Sequence, residues 1–251
     1  MPKGYDVMPE IEYYKAELKF TDAVFVIFPG GGYATLADHE GATYAKLFNV
    51  WGADAFVVKY SVAPSKFPAQ LNDARRAVQY VRANAEKYNV NPNKIIAVGS
   101  SAGGHLASML STYKDLTEYP ENDDISKVDF MPNYQVLCYP VVDLSDDNIA
   151  HIASKTRLLG ENYDKDMAEK LSPELACDKN SPPAFIWHNQ DDPTVSVLNS
   201  INYAKSLVNV GVPVELHIFP FGKHGVGTAT DKHSGQWKKL LLNWLKEMKI
   251  Y

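Results

Sequence analysis

The stretch Ile95-Ile96-Ala97-Val98-Gly99-Ser100-Ser101-Ala102-Gly103 carries the strongest local signal in this chain of 251 residues. Four apolar residues run directly into a G-x-S-x-G pattern, and a plausible helix follows at residues 105–110. A sharp turn from strand to helix holds its central residue in a strained backbone conformation and lifts that side chain above the sheet. The dipole of the following helix favours negative charge there. We therefore predict that Ser101, rather than Ser100, is a nucleophile; the alternative is an ordinary glycine-serine loop.

Short apolar runs recur along the chain in the same way. They lie at residues 23–28, 55–58, 95–98, 136–139, 184–187 and 214–219. Continuous apolar character is typical of a strand that is covered on both faces. The last run alternates between apolar and polar residues, which suits a strand nearer the edge of a sheet.

Segments with helical periodicity separate these runs. Their apolar stripes consist of Leu71, Ala74, Val78, Val81 and Ala85; of Val197, Leu198, Ile201, Ala204 and Val208; and of Trp237, Leu240, Leu241, Trp244, Leu245 and Met248. Alternating strands and helices predict the α/β class, with a mostly parallel central sheet and helices on both faces. We expect a single domain over residues 1–251.

Residues 145–183 break the alternation. They are rich in charge, contain Ser172-Pro173 and Ser181-Pro182-Pro183, and hold weak helical patterns without a convincing strand. We interpret them as a small cap insertion over the strand ends. An ordinary long connection is the alternative.

A glycine-rich loop, Pro29-Gly30-Gly31-Gly32-Tyr33, directly follows the first apolar run. Glycines allow the backbone to pass close to a ligand and to direct N–H groups at it. Acyl transfer needs such donors, because its tetrahedral intermediate carries an oxyanion. We expect the N–H groups of Gly31, Gly32 and Ala102 to form the oxyanion hole. A phosphate-binding loop is disfavoured, because neither G-x-G-x-x-G nor Lys-Ser/Thr is present here.

A serine hydroxyl is a weak nucleophile at neutral pH and needs a base. Seven histidines compete for this role: His39, His105, His151, His188, His217, His224 and His233. His224 lies in a glycine-flanked loop after the last apolar run, at the same rim of the predicted sheet as Ser101. We predict His224 as the base, with His188 as the alternative. His105 and His217 lie inside predicted elements, and we expect them to be structural.

The base in turn needs a carboxylate that orients it and stabilises the imidazolium. Asp191 and Asp192 follow the apolar run at 184–187, again at the expected rim. We favour Asp192, and Asp191 and Asp143 are the alternatives. Asp143 could reach the same histidine from one strand earlier. A helix N-cap would be a structural role for the Asp191-Asp192 pair.

Charge and cysteine content argue against several classes of function. The net charge is −5 with scattered Lys and Arg, so we expect neither nucleic acid nor membrane as a partner. Cys138 and Cys177 match no disulfide framework or zinc pattern, and Cys138 is expected in the core. Residues 1–20 lack the apolar core of a signal peptide, and no run of about 18 apolar residues could span a membrane. These features favour a cytoplasmic protein and leave homo-oligomer formation open.

Together these motifs resemble those of the α/β-hydrolase esterases, most of all the bacterial acetyl esterases and the small carbohydrate or xylanase-associated esterases. The similarity extends over nearly the whole chain, from the glycine-rich loop to Phe219-Pro220-Phe221-Gly222-Lys223-His224-Gly225, and includes Glu40-Gly41, Tyr60-Ser61-Val62-Ala63-Pro64 and Leu171-Ser172-Pro173-Glu174. Pro29 stands where hormone-sensitive-lipase relatives have a histidine. The resemblance implies the α/β-hydrolase fold and neither a metal nor an organic cofactor. The implied site residues are Ser101, Asp192 and His224 for catalysis, and Gly31, Gly32 and Ala102 for the oxyanion hole.

The function that the resemblance implies is hydrolysis of short acyl esters by a serine esterase. An acetylated sugar or oligosaccharide is the leading substrate, and a feruloyl ester is a further option. Kynurenine formamidases and prolyl-type peptidases use the same machinery on amides, which makes amide hydrolysis the alternative. A non-catalytic binding protein with this fold is a third interpretation, which the complete Ser-His-Asp set disfavours.

Overall fold

The computed structural model describes residues 9–113 and 123–251, and in this part of the chain seven strands form one sheet. The strands are β1 (Glu10–Tyr14), β2 (Val24–Phe28), β3 (Asp54–Lys59), β4 (Ile95–Ser100), β5 (Tyr134–Cys138), β6 (Ala184–Asn189) and β7 (Val214–Phe219). Their order in the sheet is β1-β3-β2-β4-β5-β6-β7. All neighbouring strands are parallel except β1, which runs antiparallel to β3. The predicted mostly parallel sheet is confirmed, with β7 at its edge.

Helices cover both faces of this sheet, also as predicted. Those of the described residues are α1 (Asp38–Val50), α2 (Ala69–Ala83), α3 (Ala85–Tyr88), α4 (Ala102–Thr112), α5 (Ile152–Leu159), α6 (Lys165–Lys170), α7 (Pro173–Ala176), α8 (Leu198–Asn209) and α9 (Trp237–Glu247). On one face, Phe25 packs in a buried cluster with Trp237 and other residues of α1 and α9. On the other face, Val26 packs with Leu106 and residues of α2 and α8. Successive residues of a strand point to opposite faces, so a fully apolar strand serves both clusters.

Strand β1 was not predicted from the sequence. Its residues, Glu10-Ile11-Glu12-Tyr13-Tyr14, alternate between charged and larger side chains at the edge of the sheet. Glu10 lies 3.3 Å from Lys59 on β3, and the Tyr13 hydroxyl donates to Asp54 at 2.8 Å. Charged side chains are common on edge strands, where they discourage pairing with other chains. The low apolar content of β1, which is why this strand was not predicted, thus reflects its edge position.

The predicted stripe on α8 was wrong, although the helix itself is present. Leu198 and Val208, expected to be buried, are 43% and 62% exposed. The buried face instead includes Asn199 and Ser200, both 0% exposed. The Asn199 side-chain oxygen accepts hydrogen bonds from the backbone N–H groups of Val142 and Asp143, which follow β5, at 2.8 and 2.9 Å. The inward face of this helix therefore combines hydrogen-bonded polar side chains with the buried Tyr203, Ala204 and Leu207.

Residues 145–183 connect β5 to β6 and contain α5, α6 and α7 but no strand, as expected. Helix α5 lies against the glycine-rich loop, because Arg157 Nη1 donates to the Gly32 carbonyl oxygen at 3.1 Å. Farther along, the Leu171 carbonyl oxygen accepts a hydrogen bond from His105 of α4 at 2.7 Å. These contacts attach the insertion to the glycine-rich loop and to α4. That it caps a substrate site stays a prediction.

A bilayer-spanning segment would need a long apolar helix, and the described residues form none. Cys138 is buried as predicted, and it and Cys177 are free thiols. The prediction that residues 1–20 hold no signal peptide falls partly on residues 1–8, which lie outside the described residues.

Candidate active site

Ser101 occupies the turn between β4 and α4, with a φ of 53° and a ψ of −121°. This left-handed conformation is rare for a non-glycine residue and is typical of a serine held at a strand-to-helix turn. The turn needs glycine close by, because a Cβ on Gly103 would lie 2.0 Å from the Phe28 carbonyl oxygen. Gly103 thereby lets α4 begin directly against the start of the glycine-rich loop.

Ser101, His224 and Asp192 form a continuous hydrogen-bonded chain. The Ser101 Oγ lies 2.8 Å from His224 Nε2, and His224 Nδ1 lies 2.7 Å from Asp192 Oδ2. The Asp192 side chain is 0% exposed and that of His224 is 15% exposed. With the Nδ1 proton donated to the carboxylate, Nε2 is free to accept the serine proton.

The Asp192 carboxylate is fully supplied with donors. Its Oδ1 accepts the backbone N–H groups of Thr194 and Val195 at 2.9 and 3.0 Å. Its Oδ2 faces His224 and also His188, whose Nε2 lies 3.4 Å away. Burial opposes ionisation, but the hydrogen bonds from His188, His224 and the Val195 amide outweigh it and hold the Asp192 pKa well below its usual range. Asp192 is therefore an anion at neutral pH.

His188, the alternative base, lies behind the carboxylate and not at the serine. Its ring is 0% exposed, with Nδ1 at 2.7 Å from the Ser200 hydroxyl and Nε2 at 3.0 Å from the Val195 carbonyl oxygen. A carbonyl oxygen only accepts, so Nε2 carries a proton, and Nδ1 is engaged by the Ser200 hydroxyl. His188 thus directs an N–H group towards Asp192 and has no free nitrogen to act as a base.

The two alternative acids have other partners. Asp191 Oδ1 accepts the Gly222 N–H at 2.6 Å and so anchors the loop that carries the histidine. Asp143 Oδ1 accepts from the Ser145 N–H, the Ser145 hydroxyl and the Asp146 N–H at 2.7, 2.8 and 2.9 Å. The carboxylate that contacts His224 is that of Asp192.

The glycine-rich loop lies next to the serine, because a Cβ on Gly30 would be 3.0 Å from Ser101 Cβ. Gly31 and Gly32 have φ values of 128° and 62°, which suit glycine, and a Cβ on Gly31 would lie 2.0 Å from the Thr35 carbonyl oxygen. Within residues 9–113 and 123–251, the N–H groups of Gly31, Gly32 and Ala102 have no hydrogen-bond acceptor. Three unoccupied amides beside a buried hydroxyl can take up charge that develops on a bound oxygen.

Two of the remaining histidines are structural, as expected. His105 is buried between the Tyr33 hydroxyl at 2.8 Å and the Leu171 carbonyl oxygen at 2.7 Å. Burial lowers the His105 pKa to about 4, so its ring is neutral at physiological pH. His217 contacts Glu215 on the same face of β7 at 2.6 Å.

The residues that surround Ser101, His224 and Asp192 were not predicted as functional from the sequence. His151 and Arg157 of the insertion lie near Gly32, with His151 Cε1 at 3.9 Å and Arg157 Nη1 at 2.9 Å from the position of a Cβ there. Glu40 appeared only as part of a motif match, and Tyr139 only as the end of an apolar run. His151 was named only as one of seven candidate bases. No local pattern distinguishes any of these four as functional, because the contacts connect segments far apart in the chain.

The assembled groups are suited to nucleophilic acyl transfer. A hydroxyl, an imidazole and a carboxylate stand in line, beside amides whose N–H groups can donate hydrogen bonds to an oxyanion. No group of three or more His, Cys, Asp or Glu side chains in the described part of the chain is arranged to hold a metal ion.

Known proteins share this architecture. The acetyl ester-xyloside bifunctional hydrolase from Caldicellulosiruptor lactoaceticus has a similar structure, with a TM-score of 0.91 at 40% identity over 98% of this chain and 90% of that one. The acetylxylan esterase of Xylanibacter ruminicola is 34% identical over 88% of this chain. Endo-1,4-beta-xylanase B of Butyrivibrio fibrisolvens is 32% identical over 93% of it. The chain spans only 44% and 37% of the lengths of these two curated relatives.

A family model agrees with these similarities. The BD-FAE model matches residues 12–207, a region that contains Ser101, Asp192 and the glycine-rich loop. The resemblance to α/β-hydrolase esterases is thereby confirmed. This chain has the α/β-hydrolase fold and belongs to the BD-FAE family.

Proposed function

We propose that this protein is a serine carboxylesterase that removes short acyl groups, acetyl above all, from carbohydrate esters. The observation that carries the proposal is the hydrogen-bonded chain Asp192–His224–Ser101 next to the unoccupied amides of Gly31, Gly32 and Ala102. The names of the similar proteins, an acetylxylan esterase and an acetyl ester-xyloside hydrolase, support acetyl transfer to water as the reaction.

The chemistry proceeds in two steps. His224 Nε2 takes the Ser101 proton as Oγ attacks the ester carbonyl, and the carbonyl oxygen becomes an oxyanion facing the three amides. The intermediate collapses, the C–O bond to the alcohol breaks, and His224 returns its proton to the leaving alkoxide. Water then attacks the acyl-serine with His224 again as base, which releases the carboxylic acid and restores Ser101. Asp192 stays ionised throughout and stabilises the imidazolium.

A substrate panel tests this proposal. Acetylated xylo-oligosaccharides and nitrophenyl esters of graded acyl length should be hydrolysed, with acetate preferred over octanoate. N-Formylkynurenine and a proline amide serve as the amide arm, and preferred turnover of either would replace the ester assignment. A serine-directed phosphonate distinguishes a third outcome: absence of a covalent adduct on Ser101 would indicate a non-catalytic binding protein.

The acid assignment is tested by two matched substitutions. Asp192→Asn should lower kcat on nitrophenyl acetate by about 10⁴-fold, because an amide at this position favours the wrong tautomer of the histidine. Asp143→Asn should change kcat by no more than about threefold, since its carboxylate contacts other groups. An equal or larger loss in the Asp143 variant would transfer the role of the acid to Asp143.

We further propose that the insertion borders the sugar part of the substrate. Arg157 is anchored on the Gly32 carbonyl oxygen, at the edge of the proposed oxyanion hole. Arg157→Ala should raise KM for acetylated xylo-oligosaccharides by about tenfold, while nitrophenyl acetate, which lacks a sugar, changes by less than about threefold. Lys239→Ala, which removes an exposed cation from α9, is the control. Equal KM changes for both substrates would exclude a sugar contact.

A further inference from the structure

Glu40, in the first turn of α1, has a carboxylate that is buried in the protein. It is 2% exposed, and in the described part of the chain no Lys or Arg forms an ion pair with it. Burying an ionised carboxylate is costly unless hydrogen bonds replace its water. Its two oxygens accept from the Gly30 N–H at 2.9 Å and from the Tyr139 hydroxyl at 2.5 Å. These two donors belong to different sides of the proposed active site.

The first donor belongs to the glycine-rich loop. Gly30 is held at both its N–H and its carbonyl oxygen, since the Ala37 N–H donates to that oxygen at 2.9 Å. The space between Glu40 and the serine is narrow: a Cβ on Gly30 would lie 2.5 Å from Glu40 Oε2 and 3.0 Å from Ser101 Cβ. Glu40 therefore determines where the residue before Gly31 and Gly32 lies relative to Ser101.

The second donor leads to the loop that carries the histidine. The Tyr139 hydroxyl donates to Glu40 and accepts the Gly227 N–H at 2.9 Å. Its ring packs edge-on against the His224 imidazole, with centroids 5.0 Å apart and planes at 70°. Tyr139 has a φ of 38°, an unusual conformation for an aromatic residue that places its side chain here.

A second contact from α1 strengthens the same connection. His39, which precedes Glu40, lies with Nε2 at 2.8 Å from the Gly225 carbonyl oxygen. The start of α1 thus contacts the histidine loop on both sides of Val226 and the glycine-rich loop at Gly30.

We propose that Glu40 is a positioning residue that acts through Tyr139 to set the distance between the oxyanion-hole loop and His224. The proposal rests on the serine esterase function given above. Neither side chain needs to touch substrate. Their contribution is to the rate of the chemical step, because the amides and the imidazole must be aligned at the same time in the transition state. Displacements of about 1 Å in such an alignment cost roughly 10²-fold in rate.

Two substitutions interrupt the connection at different points. Glu40→Gln keeps an acceptor for Gly30 but turns an NH₂ group towards a hydroxyl that already accepts from Gly227. Tyr139→Phe removes only the hydroxyl and leaves the ring against His224. Each should lower kcat on nitrophenyl acetate by about 10- to 100-fold with KM changed less than about threefold. The double variant should be no more than about twofold worse than the poorer single variant, because both interrupt one connection.

Tyr203→Phe is the matched control. It also removes a buried phenol hydroxyl, whose partner is Gln135 at 2.9 Å, but it belongs to α8 and faces the core. It should lower the melting temperature by no more than Tyr139→Phe, whose hydroxyl has more partners, and leave kcat within about twofold of wild type. If Glu40→Gln does not fold, Tyr139→Phe decides the question alone.

Three results would overturn the inference: kcat of Glu40→Gln and Tyr139→Phe close to wild type, additive losses in the double variant, or an equal loss of kcat in Tyr203→Phe. Ser101→Ala separates this failure from that of the proposed function. If Ser101→Ala is inactive while the Glu40 and Tyr139 variants are fully active, only the positioning role is refuted. If Ser101→Ala is active, the serine mechanism itself is refuted.

Discussion

Ser101→Ala is expected to lower kcat for a short-chain nitrophenyl ester by about 10⁶-fold, as removal of a serine nucleophile does elsewhere. The reason is that no acyl-enzyme can form without the Oγ atom, so only the oxyanion hole and substrate binding still act, and these retain about 10³-fold over water. Folding should be unaffected, because the hydroxyl contributes one hydrogen bond, to His224. Steady-state kinetics and a thermal melt of the same preparation measure both expectations.

The neighbouring serine provides the control for this experiment. Ser100 is also buried, at 1% exposure, and its hydroxyl bonds to Tyr44 at 3.2 Å and not to the histidine. Ser100→Ala should therefore keep kcat within about threefold of wild type. If purified Ser101→Ala kept more than about 1% of wild-type activity, well above the expected residual activity, Ser101 would be excluded as the nucleophile.

His224→Ala should produce a loss of kcat of similar size, about 10⁶-fold, with KM changed by only a few fold. The imidazole is the proton acceptor in both chemical steps, and its loss leaves Ser101 as an unactivated alcohol. Because the imidazole hydrogen-bonds to Ser101 and Asp192 and acts on the alcohol oxygen only while bonds are breaking, substrate affinity should be largely retained. Single-turnover measurements with nitrophenyl acetate would show a loss in the acylation step.

His217→Ala is the control for the loss of a histidine near the same sheet edge. Its ring is partly exposed, contacts Glu215 and packs against Phe185 of β6, so kcat should remain at the wild-type level. Activity of His224→Ala equal to wild type would show that another group takes the serine proton.

Local sequence was sufficient to predict most of the fold. The six runs all became parallel strands. Five of them are buried on both faces and need apolar residues at nearly every position, whereas edge strand β7 is only partly buried and alternates. Edge strand β1 was missed, since its charged residues face water. Helix α8 was placed correctly, but its buried face was not, because Asn199 and Ser200 are buried by hydrogen bonds that apolar periodicity does not describe.

Site residues could be predicted from the sequence where a side chain of suitable chemistry occurs in a turn that follows a strand. Ser101 and His224 each lie in a glycine-flanked turn directly after a strand, and parallel strands bring such turns to one rim. Asp192 could be preferred but not separated from Asp191 and Asp143 on the same grounds, because all three follow strands. The structure distinguishes them by their partners: Gly222 for Asp191, Ser145 for Asp143 and His224 for Asp192.

By itself, the sequence determined the order of elements, the strained turn at Ser101 and the loops from which donors, base and acid would come. Only the tertiary structure decided which carboxylate meets the imidazole and why His188 is not the base. It also decided how Glu40 and Tyr139, 99 residues apart in sequence, connect the glycine-rich loop to the loop that carries the histidine. The physical reason is that short-range geometry follows from the residues themselves. Hydrogen bonds between distant segments depend on where packing of the whole sheet and its helices brings those segments together.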